Sequence, residues 1–167
     1  MSLALELLAA PLVLGGLWFL LPFAVRKAGE TTLRRRCRAQ RAIVLSYDDG
    51  PGIHLTPALV ELLAAYGVCA TFHLLGRNAL AAPALAQRLV AHGHEVGSHT
   101  QDHAHAWKTS PLRFGRDLLA GVATINGLGG QGRHFRPPHG KLTLAGMLQA
   151  AALGLRCAWW TVDSRDS

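Results

Sequence analysis

An apolar stretch opens the chain, and an alternation of short apolar runs with helical stretches follows it. From Leu7 to Val25 there are 19 consecutive uncharged residues, LLAAPLVLGGLWFLLPFAV. At about 1.5 Å per residue they match the roughly 30 Å hydrocarbon core of a bilayer. After Arg41 the pattern changes. Ala42 to Tyr47 (AIVLSY) predicts a buried strand, Thr56 and Pro57 open a helix that stops at Gly67, and Val68 to Leu75 (VCATFHLL) predicts a second strand. A helix from Pro83 to His92, ended by Gly93, precedes a third strand at His94 to Ser98. Ser110 caps a helix that starts at Pro111 and ends near Asn126, the GLGGQG stretch from Gly127 to Gly132 is a loop, and His134 to Arg136 is a fourth strand. Thr143 caps a last helix ending near Gly154, before a fifth strand at Arg156 to Thr161. Repeated strand and helix alternation implies an α/β fold with a parallel sheet, either doubly wound or an α/β barrel. In both, polar side chains at the C-terminal ends of the strands converge on one mouth.

Composition narrows the class. Half of the 167 residues are apolar and 16% are charged, which excludes a disordered chain and a coiled coil. The length suits one domain with a proper core. The net charge of +7 is concentrated: Arg26, Lys27, Arg34, Arg35, Arg36, Arg38 and Arg41 lie together, with Glu30 the one acid among them. Residues 3–25 therefore read as a single transmembrane anchor, 26–41 as a basic juxtamembrane linker, and 42–167 as the folded domain. A cleavable signal peptide fits less well, because Glu6 stands where a basic n-region belongs and FAVRK offers no small-residue cleavage site. Pro11 and Pro22 argue against an ordinary soluble helix. The protein is expected at the cell membrane as a single-pass protein. The basic flank favours a cytoplasmic domain, though the same arginines can hold anionic headgroups at about 1 kcal/mol each. A nucleic-acid partner is not expected, since the body of the chain is nearly neutral and the arginine run lacks interleaved aromatics. Cys37, Cys69 and Cys157 form no CxxC pair and read as buried or incidental thiols.

Four polar clusters fall at the predicted strand ends: Asp48-Asp49-Gly50, His99 with His103, Arg136 to Gly140 (RPPHG), and Asp163 with Asp166. Taken singly, each has an ordinary explanation as a turn, a chance histidine pair or a rigid proline loop. Their shared rim gives them weight. His99 and His103, one helical turn apart, can face a common point. Two imidazoles and one carboxylate with open positions suit catalytic Zn²⁺ or a similar divalent ion such as Co²⁺. Asp48 and Asp49 are neighbours on an extended strand and point opposite ways, so one can ligate the metal while the other stays free as a base. An arginine can hold that base ionised, and backbone N–H groups of Pro138-His139-Gly140 can complete an oxyanion site. Such a set describes hydrolysis of an amide or ester.

These residues resemble the polysaccharide deacetylases of the NodB homology type, carbohydrate esterase family 4, and in particular chitooligosaccharide deacetylases. The family's Thr-Phe-Asp-Asp-Gly motif is matched by Ser46-Tyr47-Asp48-Asp49-Gly50, and its His-Ser/Thr-x-x-His motif by His99-Thr100-Gln101-Asp102-His103. Its Arg-x-Pro-x-Gly motif is matched by Arg136-Pro137-Pro138-His139-Gly140, and its Asp-x-x-Asp-Trp motif by Asp163-Ser164-Arg165-Asp166 followed by Ser167. The resemblance covers residues 42–167. It implies a distorted (β/α) barrel that removes N-acetyl, or O-acetyl, groups from an acetylated glycan such as chitooligosaccharide or peptidoglycan. It also implies Asp48 as general base, Asp49, His99 and His103 as metal ligands, and Arg136 as the tether of Asp48. The backbone N–H of His139 would bind the oxyanion, and Asp166 would orient an acid histidine.

The chain departs from the family pattern at Tyr47, His139 and Ser167, and the fifth motif, Leu-x-His, is not in it. Five strands are too few to close the family's barrel, so the domain is expected to be incomplete at its C-terminus. Two function classes follow: a metal-dependent carbohydrate deacetylase, or a catalytically inactive membrane-anchored relative that grips a glycan without the acid histidine. Asp48 favours the first, because a pure binder has no need of a base beside the ligands. His54, His73, His92, His94, His105 and His134 are expected to be turn, rim or core residues; Trp107, Trp159 and Trp160 could line a sugar groove, with packing expected for all but one of them.

Overall fold

The structure, a computed structural model, describes residues 3–131 and 133–164, with side chains described from residue 15 onward. Five parallel strands, β1 (Ser46–Asp48), β2 (Thr71–Leu74), β3 (Glu95–Ser98), β4 (His134–Phe135) and β5 (Arg156–Cys157), stand side by side in chain order. Among the described residues six α-helices accompany them: α1 (Leu3–Gln40), α2 (Leu55–Ala65), α3 (Gly76–Ala81), α4 (Pro83–Ala91), α5 (Pro111–Gly127) and α6 (Leu144–Ala152). The strand order decides between the two α/β architectures. A doubly wound sheet reverses direction partway, whereas here β1 to β5 run in one sequence. With right-handed crossovers, that order puts the connecting helices on one face. It is the winding of a (β/α) barrel, and among the described residues β1 and β5 remain unpaired edges.

Pleating sorts the side chains. Tyr47, Phe72 and Val96 share one row across β1, β2 and β3 and join a core with Val60, Leu63, Leu74, Leu89 and Ile125. A second cluster gathers Phe114, Leu118, Phe135, Leu142 and Ala150 under α5 and α6. The next row, Asp48, His73 and Gly97, points to the opposite face. Helix starts follow the predicted caps: Ser110 accepts from the Arg113 N–H and Thr143 from the Gly146 N–H. The strands are shorter than the apolar runs. Pairing of β1 begins only where the Leu45 carbonyl accepts the Thr71 N–H, at 3.0 Å. Ile43 and Val44 stay 89% and 61% exposed because no described strand lies outside β1. Sequence reading missed α3, a six-residue helix after β2.

The N-terminal segments differ most from expectation. Anchor and linker are one continuous helix, α1, through Gln40. Its basic half is rich in strong helix formers, and Glu30 pairs with Arg26 (2.6 Å) and Lys27 (2.7 Å) at helical spacing. Among the described residues, no helix is long and apolar enough to cross a membrane. One face of α1 instead lies against the domain. Phe19 meets Trp107 edge-on at 5.3 Å, Pro22 is buried, and Arg26 donates to the Gly140 carbonyl at 2.7 Å beneath the ring of Trp160. Gly29 allows this approach, since a Cβ there would meet the Trp159 ring at 2.4 Å.

Candidate metal centre and active site

The loops that follow β1, β3 and β4 meet on the rim. After Asp48 the backbone turns left-handed at Asp49 (φ 64°), and Asn78 holds this turn by donating to the Asp49 carbonyl at 2.7 Å. That turn sends the two carboxylates to different partners. The Asp49 Oδ1 faces the Nε2 atoms of His99 and His103 at 3.6 and 3.5 Å, and one ligand atom from each of the three residues lies within 4.8 Å of the others. Asp48 turns toward Arg136, whose Nη1 donates to its Oδ1 at 2.8 Å while Nη2 donates to the Ser46 hydroxyl at 2.9 Å.

His99 and His103 are not on a helix, contrary to the geometry expected from their spacing. Thr100 (φ 69°) and His103 (φ 63°) are both left-handed, and these two kinks fold the loop so that the rings stand 5.0 Å apart. The loop is bound from outside by Asp117, a buried residue of α5 that sequence reading did not single out. Its two carboxylate oxygens accept the Asp102 and Ala104 N–H groups at 2.8 and 3.1 Å, and its carbonyl accepts the Gln101 N–H at 3.1 Å. One turn later comes Gly121, where a Cβ would meet the Thr100 backbone at 2.4 Å. A signal for Asp117 was available: it interrupts the apolar stripe of Phe114, Leu118, Val122 and Ile125.

The donor set suits a divalent cation. The Nδ1 of His99 is 2.7 Å from the Arg136 carbonyl, which can only accept, so Nδ1 carries the proton and Nε2 keeps its lone pair for a metal. Burial lowers the pKa of both His99 and His103 despite the nearby aspartates, keeping the rings in the neutral form that ligation requires. Two imidazoles and one carboxylate with open positions match a catalytic zinc-type centre. For Asp48, burial opposes ionisation, but the contact with His73 and the Arg136 guanidinium outweigh it and hold the carboxyl below its ordinary value. It remains a carboxylate at neutral pH.

The Pro138–Gly140 turn places His139 at φ 56°, and the His139 N–H has no acceptor among the described residues. The ring of His139 stands beside those of His103 (4.6 Å) and His105 (4.8 Å). Asp166 lies outside the described residues. His73 corrects an expectation in part: it is a buried core residue, yet its Nδ1 lies 3.4 Å from Asp48 Oδ1.

Comparison with known proteins gives a consistent picture. The family profile described as polysaccharide deacetylase matches residues 35–158. The chain is 34% identical over 128 residues to a chitooligosaccharide deacetylase of Bradyrhizobium sp. (strain ANU 289), covering 75% of this chain and 58% of the relative. It is 31% identical to a peptidoglycan-N-acetylglucosamine deacetylase of Bacillus cereus, covering 74% of this chain and 46% of the relative. Among solved structures, a family 4 carbohydrate esterase from Streptomyces lividans in complex with acetate superposes with a TM-score of 0.71 at 30% identity, over 74% of this chain and 65% of that one. The chain thus spans about half to three-fifths of the length of these two curated relatives.

Two outcomes follow from this geometry. Asp117→Ala frees the loop carrying both histidines, and zinc affinity measured by calorimetry should fall about 10- to 100-fold with the helical circular dichroism retained; unchanged affinity would show that Asp117 does not position the ligands. Burial pushes the His73 pKa from 6.5 down to about 4, so its unfolded form binds more protons in that interval. The stabilisation from keeping this ring neutral is complete above about pH 6.5 and fades as pH falls toward 4, a loss of roughly 3 kcal/mol. Urea unfolding at pH 7 and pH 4.5 should reveal this difference, and His73→Phe should reduce it; an identical pH dependence in both proteins would refute the assignment.

Proposed function

The chain belongs to the polysaccharide deacetylase family, and from that premise we propose that it hydrolyses the N-acetyl group of an acetylated glycan in a cation-dependent reaction. One observation carries the reading. Neighbouring aspartates are divided between two tasks, Asp49 facing two imidazoles and Asp48 bound to Arg136. A glycan-binding module would need neither the division nor an ionised carboxylate beside the ligands. The two curated relatives are a chitooligosaccharide and a peptidoglycan-N-acetylglucosamine deacetylase, and a substrate bearing N-acetylglucosamine is the chemistry their names share.

Asp49, His99 and His103 would hold the ion, zinc by its preference for this donor set. When bound, it polarises the acetamide carbonyl and makes water easier to deprotonate. The remaining work belongs to the protein. Asp48 takes the proton from the attacking water through Oδ2, since Oδ1 is engaged by Arg136. Arg136, itself buried, keeps that carboxylate ionised and oriented. The His139 N–H donates to the oxygen that gains negative charge, in a turn held by the Gly140 N–H on the Pro137 carbonyl. Protonation of the departing amine is the role the family resemblance gives to a histidine oriented by Asp166.

We further place the protein at the cell membrane, attached through the outer face of α1. Leu17, Leu20 and Leu21 are exposed there, and Arg35 and Arg38 continue the same stripe toward the domain end. Leucines on the acyl chains and arginines among anionic headgroups suit that stripe.

Acetate release from N-acetylated chitooligosaccharide and from peptidoglycan, with zinc added or chelated, tests the activity. Zinc-dependent release that falls about 100-fold or more in Asp48→Asn, with zinc binding retained, is expected. Glycan binding without any release would instead establish the binding relative. For attachment, the protein should pellet with phosphatidylserine vesicles and be freed by alkaline carbonate. Retention through carbonate would mean a spanning anchor, and no pelleting would end the membrane proposal.

A further inference from the structure

His73 has no part in the reaction just described, yet it lies against the base. It occupies the middle of β2, in register with Asp48 on one side and Gly97 on the other, and is completely buried. An apolar side chain would fill this slot without burying polar atoms, and residues on either side, Phe72 and Leu74, do so in their own row. Neither ring nitrogen has a full hydrogen bond among the described residues. Candidate acceptors are few. Gly97 has no side chain, the Arg136 guanidinium has only donors, and His99 gives its Nδ1 proton to the Arg136 carbonyl and turns Nε2 to Asp49. The Asp48 carboxylate does lie beside the ring, its Oδ1 3.4 Å from His73 Nδ1.

We propose that His73 is a positioning residue for Asp48, its Nδ1–H donating to Oδ1 as a second tether beside Arg136. The role rests on the reading of Asp48 as the base. The present separation exceeds a finished N–H···O bond of about 2.7–3.2 Å, and hydrogen bonds of this kind commonly tighten once substrate is bound. Arg136 alone fixes one point of the carboxylate and leaves rotation about that bond. A second donor on the same oxygen, approaching from β2, removes the rotation and keeps Oδ2 turned to the reacting water. A neutral imidazole does this without adding a second positive charge, which would weaken the base more. Burial keeps the ring neutral, so no proton passes through it.

Long-range proton–nitrogen spectra of the imidazoles test the tether without requiring turnover. The His73 resonances are identified by their loss in His73→Phe. The expected result is a neutral ring protonated at Nδ1, whose Nδ1 proton moves upfield in Asp48→Asn as the charged acceptor is lost. A ring protonated at Nε2, or an Nδ1 proton indifferent to Asp48→Asn, would overturn the proposal. Where the protein releases acetate, kcat should fall about tenfold in His73→Phe with KM unchanged, and His73→Asn, which keeps a donor near the Nδ1 position, should recover most of it. An unaltered kcat in folded His73→Phe counts against the tether. If no glycan yields acetate, the deacetylase reading fails and the spectra still decide the His73–Asp48 bond.

Discussion

A single left-handed residue divides the labour of this site. If Asp49 continued the strand, pleating alone would part it from Asp48 but would not aim it at the loop after β3. At φ 64° it leaves the sheet, and its carboxylate arrives between two imidazoles while Asp48 stays in the sheet row with His73. A left-handed conformation is uncommon outside glycine, and aspartate is among the residues that tolerate it best. The cost is met by local bonding, with Asn78 on the Asp49 carbonyl and the Leu75 N–H on the Gly50 carbonyl. Everything proposed for the site presumes that separation, since two carboxylates sharing one position would raise each other's pKa and supply neither a free ligand nor a free base.

Bent backbone recurs wherever the rim must aim a group. Thr100, His103 and His139 share the left-handed region with Asp49, and each lies in a loop rather than in the strand that feeds it. Loops with so little regular structure need outside support, and helices provide it. Asp117 of α5 replaces the hydrogen bonds that the 101–104 backbone would otherwise lack, and Gly121 lets the helix come close enough to offer them. A buried carboxylate is accommodated here because both of its oxygens accept from backbone N–H groups.

Much of this was legible in the residue pattern. The five strands and the helices with Ser110 and Thr143 caps follow from apolar runs and turn chemistry; two histidines with one of the two neighbouring aspartates follow from residue type, and the choice of Asp49 comes from the family resemblance. The rest required three dimensions. Spacing of four residues suggested a helical turn for the histidine pair, and positive φ at Thr100 and His103 overrides it; no periodicity reports such kinks. His73 sits inside an apolar run and reads as core until the register sets it opposite Asp48. Asp117 was visible only as a polar break in an amphipathic stripe, and its partners are loop N–H groups whose position no local pattern encodes.

The N-terminal helix runs unbroken across a boundary that composition draws. Hydropathy separates residues 3–25 from the basic stretch behind them, and the boundary looks like that between an anchor and a linker. The backbone stays helical across it, and Phe19, Pro22, Arg26 and Gly29, on either side of it, lie against the domain. Arg26 joins this helix to the rim. Its guanidinium pairs with Glu30, donates to the Gly140 carbonyl and lies 4.9 Å from the ring centroid of Trp160, and the Arg136 guanidinium lies 5.4 Å from the same centroid. The indole thus links an arginine of the N-terminal helix to the arginine that holds Asp48. Part of the charge that reads as a membrane signal in the sequence is spent inside the protein, on the turn that carries His139. Arg34, Arg35, Arg36, Arg38 and Arg41 of the same basic run stay exposed.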